Sequence, residues 1–380
     1  MSASGRVDAA TLAGSAATRS PKLCAAFRAM SVAPARGSRA RTGGQINRIA
    51  ALTAWLVCAF VPAQAQTPRA ESPLALEITA RPLGAFDIRE QTPRQFGLLE
   101  FRGGLVLTSP NRDFGGLSAI RVGSDGARFV ALSDKGRWLR GRIVYEKSKP
   151  VGIADAEMAP VLGPDGRPIT ARGWYDTEAL ADDGGTLYVG LERVHQILRF
   201  NYGKDGLLAR GQPIALPPAI RALPSNKGIE GLVFVPKGLP LAGTLIAFSE
   251  RGLDKEGNAM AFLIGGPSPG SFLVRRSANF DISDAALLPG GDVIILERKF
   301  GWTTGLAVRI RRLPIGEIRP TALLDGSVLF EADLGYELDN MEGLSVHRTA
   351  GGEVVLTLIS DDNFSFLQRT VLLQFTLAEP

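Results

Sequence analysis

The sequence predicts an all-β fold, a single β-propeller for which six blades of about four antiparallel strands are expected. Three observations carry that expectation. One segment type recurs five times, helix-period apolar runs are scarce after residue 66, and glycine clusters in turns between short β-branched runs. Turns that need positive φ select glycine, so this composition suits many short strands joined tightly.

In chain order, the first element is a targeting segment. Arg39, Arg41 and Arg48 precede an apolar run from Ile49 to Val61, and "AQA" then places small residues at Ala63 and Ala65. This is the pattern of a signal peptide cleaved near Ala65. The run is short for a membrane span, and Val57 before Cys58 is too bulky for lipoprotein processing, so no stable membrane anchor is expected. Residues 1–65 are therefore assigned as a long lead plus signal peptide, with Met30 as an alternative start, and 66–380 as the propeller in the periplasm or secreted. The first 65 residues hold eight of the 43 Lys/Arg and one of the 38 Asp/Glu, leaving 35 basic against 37 acidic residues and a formal net charge of −2. Nucleic acid is excluded as a partner on that balance. Both cysteines, Cys24 and Cys58, fall in the lead, which removes disulfides, thiol nucleophiles and thiolate metal sites from the rest.

The repeats follow. They begin "FGGLSAIRVGSDGARFVALSDKGRW" at Phe114, "DTEALADDGGTLYVGLERVHQILRF" at Asp176, "KGIEGLVFVPKGLPLAGTLIAFSERG" at Lys227, "DISDAALLPGGDVIILERKFG" at Asp281 and "NMEGLSVHRTAGGEVVLTLISDDNF" at Asn340. A spacing of roughly 50 to 60 residues fits a four-stranded blade. The strand-like segments between Leu74 and Ser109 are expected to complete a sixth blade with the C-terminal strand, which hides open sheet edges. Residues 147–174 read as an interblade insertion or a hairpin around the "PDG" turn.

The motifs "GGLSAI", "FVALSDKG", "DTEAL", "KGIEGLVF" and "NMEGLSV…LISDDNF", in this order, resemble the phytase-like family of secreted bacterial propeller proteins described as having esterase-like activity. The resemblance covers nearly all of residues 75–378. It implies a propeller with acidic residues gathered at one mouth and a phosphoesterase or phosphodiesterase-like role. The phosphate- and calcium-binding set of the calcium-dependent propeller phytases is not traceable here.

The acids fall in two registers. Asp176, Glu178, Glu230, Asp284 and Glu342 lie where units begin; Asp134, Glu192, Glu250, Glu297, Asp361 and Asp362 lie where the following strand ends. Equivalent positions of successive blades face one axis, so these side chains are expected to converge. Glu178, Glu230 and Glu342 are the candidate catalytic residues. Asp134, Asp176, Glu192, Glu250, Asp284, Glu297, Asp361 and Asp362 are the candidate metal ligands. An all-oxygen set without imidazole or thiolate points to Ca²⁺, or another divalent cation, that activates water. Lys135, Arg193, Lys227, Arg251 and Arg298 are candidate substrate-binding residues for a phosphoryl group, although neighbouring bases such as these also serve as interblade ion pairs.

Other chemistries lack support. Only His195 and His347 are available as imidazole bases, there is no G-x-S-x-G elbow, and Ser118 reads as a strand residue. No H-E-x-x-H, P-loop or G-x-G-x-x-G pattern occurs, and "DKEGN" at Asp254–Asn258 reads as a polar turn rather than an EF-hand. Trp138, Trp174, Tyr175 and Trp302 either floor the mouth or pack between blades, with packing favoured. The expected function is metal-assisted hydrolysis of a small-molecule phosphate ester by a monomer. The alternatives are a lactone or carboxylic-ester hydrolase and a non-enzymatic ligand-binding propeller.

Overall fold

The computed structural model describes residues 72–92, 94–301 and 305–378, all within one compact unit, Gln64–Pro380. The signal peptide, its cleavage site, both cysteines, Met30 and Trp302 lie outside the described residues.

Each of the five repeats builds one antiparallel sheet around its own hairpins. Blade 1 runs outward through Leu117–Val122, Arg128–Ser133, Arg137–Glu146 and Lys149–Pro160, with Leu74–Ala75 at its edge. Blade 2 comprises Thr177–Asp183, Thr186–Leu191, Gln196–Phe200 and Gln212–Pro213. Blade 3 comprises Ile229–Phe234, Thr244–Leu253, Ala259–Gly265 and Gly270–Val274, with Leu323–Leu324 added in parallel. Blade 4 comprises Asp281–Leu287, Val293–Gly301, Gly305–Leu313 and Ser327–Asp333. The stretch 147–174 resolves into the fourth strand of blade 1 followed by the "PDG" turn, which Gly166 N–H closes on Gly163 O at 2.9 Å.

The propeller has five blades, not six. The last repeat supplies three strands, Met341–Arg348, Val354–Ser360 and Thr370–Leu377; the N-terminal strand Leu99–Thr108 then pairs onto Thr370–Leu377, and Thr79–Leu83 onto Leu99–Thr108, in that same sheet. A three-stranded final blade leaves an open edge, and the early segment fills it instead of founding a blade of its own. The expectation that the two chain ends close the ring together therefore holds, with one blade fewer.

The inner strands pack in a closed cycle, each against the next and the fifth against the first. Strand faces that alternate inward and outward leave one apolar surface per blade side. Accordingly five buried clusters form, one at each blade junction. Trp138, fully buried, belongs to the cluster between blades 1 and 2, edge-on to Phe200 at 5.2 Å, so it is a packing residue.

At the axis sits Arg121, on the inner strand of blade 1. Its guanidinium donates to the carbonyls of Ile120 (2.6 Å), Leu344 (2.7 Å), Ala285 (3.1 Å), Leu232 (3.2 Å) and Leu180, one from every blade. It also pairs with both oxygens of Asp284, at 2.9 and 3.1 Å. The positions equivalent to Arg121 in the other repeats are Ala181, Val233, Ala286 and Ser345, small enough to leave room for one guanidinium.

Arg121 is 12% exposed and Asp284 0%. Removing one partner of such a pair strands a buried charge and costs about 3–5 kcal/mol, whereas replacing both with apolar groups is far less costly. Arg121→Met is therefore expected to lower urea-unfolding stability by that amount, and Arg121→Met with Asp284→Leu to recover part of it; equal loss in the single and double variants would contradict the keystone role.

Candidate active site at the propeller mouth

Every inner strand carries a β-bulge at the same place, falling on Ser118, Glu178, Glu230, Ser283 and Glu342 in blades 1 to 5. A bulge inserts an unpaired residue and re-aims its side chain, a device common beside active sites. The three bulge glutamates line one cavity of about 300 Å³. Ser118 and Ser283 instead bridge blades, donating to Thr177 O and Met341 O, so Ser118 is structural.

The second register follows the second strand of each blade. The backbone N–H groups of Asp134, Glu192, Glu250 and Asp361 donate at 2.9 Å to the carbonyls of Gly116, Asp176, Gly228 and Asn340, which places all four side chains alike, at the mouth. Blade 4 breaks the pattern. Its hairpin connects Leu287 to Val293, one residue longer than the corresponding Asp182–Leu187 connection in blade 2. The extra residue slips Glu297 out of the acid slot and puts Arg298 there, since a one-residue slip turns each side chain to the other face.

The cavity thus collects Asp134, Asp176, Glu178, Glu192, Glu230, Glu250, Glu342 and Asp361, with Arg193, Lys227 and Arg298 as its only cations among the described residues. Five expected site residues are elsewhere. Asp284 lies one position past the bulge and pairs with Arg121 on the axis. Glu297 is buried between Arg309 and Arg311 at 2.8 and 2.6 Å. Asp362 accepts from Gly116 N, Phe364 N and Thr370 Oγ1, which occupies it in joining blades 1 and 5. Arg251 pairs with Asp281, which Arg276 shares, and Lys135 lies 3.0 Å above the Phe364 ring. Of the other aromatics, Trp174 packs against the blade 1–2 core, while Tyr175 is exposed beneath Arg193. Asp254 accepts from Glu256 and Asn258, which makes "DKEGN" the expected polar turn.

Sequence reading missed Arg121, Asn226, Asn340 and Asn363. Asn340 and Asp176 both sit two residues before a bulge, so the repeat alignment marked that position. Arg121 left a signal as well, a lone base within an apolar inner strand.

Individual contacts divide the mouth into two sides. On one side Lys227 Nζ holds Glu250 Oε2 at 2.7 Å, and Gly228 N–H holds Glu192 Oε1 at 2.9 Å. A Cβ on Gly228 would stand 3.0 Å from Glu192 Cγ, so glycine permits this approach. Carboxylate oxygens of Glu192, Glu230 and Glu250 come within 4.8 Å of one another. On the other side Arg298 reaches Asn340 Oδ1 at 2.8 Å and Glu342 Oε1 at 3.0 Å, and Asn340 Nδ2 also donates to Glu342. Arg193 pairs with Asp176 at the rim.

Burial and crowding set the protonation. Burial, then the neighbouring charges of Glu342, Asp176, Glu192 and Asp134, hold the Glu178 carboxyl well above the ordinary range. Burial and the Glu178 and Glu250 charges do the same to Glu230, against the pull of Arg298. Burial raises Glu342 and Glu192 as well, and pushes Asp134 up to about 6 and Asp361 up to about 8. Burial opposes the charge of Arg298, but Glu342, Glu230 and Glu250 hold its pKa above the ordinary value.

A family model described as phytase-like, esterase-like activity of phytase, matches residues 112–364. The chain belongs to the phytase-like family. Membership implies a hydrolase on a propeller fold. No curated protein matches this phytase-like chain. Among solved structures, it is similar to a mitotic checkpoint complex chain (11% identity, 88% of this chain and 99% of that one, TM-score 0.35). It is also similar to the Myxococcus xanthus glutaminyl cyclase (11%, 70% and 92%, 0.34) and a putative glucose dehydrogenase of Thermus thermophilus (16%, 79% and 99%, 0.32). No helix among the described residues is long and apolar enough to cross a membrane.

In the metal-free phytase-like protein Asp361 stays protonated to about pH 8 when folded, whereas unfolded it ionises near its ordinary value of 3.8. The folded state therefore holds the extra proton in that window, so this contribution to stability is full below about pH 4 and is lost as pH rises through about 8. Urea unfolding from pH 4 to 9 in chelator is expected to show falling stability, with a shallower slope in Asp361→Asn; identical slopes would contradict the assigned protonation.

Proposed function

We propose that this protein is a divalent-cation-assisted phosphoesterase acting at the propeller mouth. The observation that carries the reading is the Glu192, Glu230 and Glu250 cluster. Ca²⁺ takes oxygen ligands at about 2.3–2.6 Å, so two oxygens on one ion stand at most about 5 Å apart. One oxygen from each of the three carboxylates lies within 4.8 Å of the others, inside that limit. Their donor set is oxygen only, which suits Ca²⁺ or another hard divalent cation. Eight carboxylates face three cations in the same cavity, a charge excess that a bound cation offsets.

Glu192, Glu230 and Glu250 are thus the assigned ligands, and Glu230 moves from the candidate bases to this group. A bound divalent ion supplies neutralisation of phosphate charge and a more acidic water. The chain's own residues supply the rest. Lys227 and Gly228 N–H each hold one oxygen of a flanking carboxylate and fix its orientation. Glu178, crowded and without a cationic partner among the described contacts, is the general acid or base, its raised pKa favouring a carboxyl that holds a proton to exchange. Arg298, held by Asn340 and Glu342, keeps a buried Nε without a partner and is the phosphoryl contact within the cavity. Arg193 offers a second contact at the rim. Export to the periplasm or medium belongs to the same proposal and follows from the N-terminal sequence pattern.

Chelator is expected to abolish hydrolysis of p-nitrophenyl phosphate or its bis-ester, and Ca²⁺ to restore it. Glu230→Gln is expected to lower kcat/KM at least 100-fold, on the order of a lost proton-transfer or ligand group. Turnover of lactones but not phosphate esters would replace the reaction, and Ca²⁺-dependent thermal stabilisation without any turnover would favour a binding module. Arg298→Met is expected to raise KM for phosphate esters while thermal stabilisation by Ca²⁺ persists; an unchanged KM would remove Arg298 from the phosphoryl site.

A further inference from the structure

The junction between blades 1 and 5 carries a polar stripe. In blade 5, His347 lies opposite Val355, Val355 opposite Thr376, and Thr357 opposite Gln374. Directly opposed residues share a sheet face, so His347, Thr357, Gln374 and Thr376 lie on one side. Arg102, from the N-terminal strand of that blade, joins them by donating to Thr376 Oγ1 at 2.9 Å. Of these, Arg102, His347 and Gln374 line, with Tyr145 and Gly126 of blade 1, a cavity of about 360 Å³ that shares no residue with the acidic mouth.

Arg102 Nε, His347 Nδ1 and Gln374 Oε1 are all buried without a hydrogen-bond partner, three of the eight such atoms among the described residues. This concentration in one cavity is not what packing produces, because buried polar atoms are ordinarily paired. The orientation of Gln374 is fixed. Tyr145 Oη donates to Gly126 O at 2.7 Å and so accepts from Gln374 Nε2 at 2.8 Å, which also donates to Thr357 Oγ1 at 3.0 Å. Gln374 Oε1 therefore remains an acceptor with nothing to accept. Arg102 commits NH1 to Glu353 and Thr376, leaving Nε as a donor with nothing to receive it. Burial and the Arg102 charge pull His347 below its ordinary pKa, so its imidazole is neutral near pH 7 and Nδ1 serves as donor or acceptor.

We propose that this cavity is a second ligand site, which takes a small polyhydroxylated molecule of hexose or hexitol size, its hydroxyls accepting from Arg102 Nε and donating to Gln374 Oε1. The two unpartnered groups are of opposite kind. A simple anion satisfies Arg102 but sets lone pair against lone pair at Gln374, and a simple cation does the reverse, whereas a hydroxyl both donates and accepts. Asp125, Glu353 and Lys147 line the same cavity, adding acceptors and a donor for hydroxyls and, with Arg102, leaving the lining without an excess of either charge. The volume lies within the range of small-molecule sites. The site is independent of the phosphoesterase reading.

The chain has two histidines, so ¹⁵N-histidine labelling reports on His347 directly, with His195 as internal control. Titration of the purified protein with D-glucose, D-galactose and sorbitol is expected to give a saturable shift of His347 with at least one of them and none at His195. Binding is expected to weaken at least tenfold in Gln374→Leu and in Arg102→Met, with Ca²⁺-dependent behaviour of the mouth unchanged; either variant alone suffices if the other fails to fold. Three outcomes overturn the proposal: no saturable response to any polyol, which means a hydrated cavity only; a response to acetate or phosphate in their place; or polyol binding that survives both substitutions.

Discussion

One guanidinium holds the ring together. Five blades converge on an axis where each presents the carbonyl two positions past its bulge, and Arg121 donates to all five of those oxygens while Asp284 balances its charge. Buried carbonyls facing one another across an axis are mutually repulsive and cannot be left unpaired at low cost. A planar fork with five donors is suited to such a ring. It also divides the channel, since Arg121 lines the opening of about 250 Å³ at the opposite end from the acidic mouth and is absent from the mouth itself.

Above that plug, small departures from repeat symmetry create the chemistry. Identical bulges aim three glutamates into the cavity, and a similar strand-end position adds four more acids. In a fully symmetric ring the fifth acid would be Glu297, and the charge would be uniform. The longer blade 4 hairpin substitutes Arg298, which gives the mouth a cationic side paired with Glu342, while on the Glu192, Glu230 and Glu250 side the paired cation is Lys227. The displaced Glu297 is neutralised by Arg309 and Arg311 in the blade interior. Arg298 and the Glu192, Glu230 and Glu250 cluster then occupy separate parts of one cavity.

The closing blade contributes a second polar region. Blade 5 is assembled from both ends of the described chain, and its polar stripe of His347, Gln374 and Arg102 meets Tyr145 of blade 1 where the ring shuts. This junction has an apolar cluster like the other four, and the polar stripe is an addition to it.

The repeat by itself determined much of this protein: strand period, turn glycines and blade-length spacing made the propeller legible, and recurring acids made its mouth legible as carboxylate-rich. Glu178, Glu230, Glu342, Asp134, Glu192, Glu250 and Asp361 could be read from motif position because repeats fold alike. Blade number could not be read, because strand segments do not reveal which edge they will fill. Nor could the fates of Asp284, Glu297 and Asp362: a bulge offset or a one-residue hairpin extension changes which face a side chain occupies, and neither leaves a mark in composition. Register and closure, which depend on backbone hydrogen bonds between distant strands, were decided only in three dimensions.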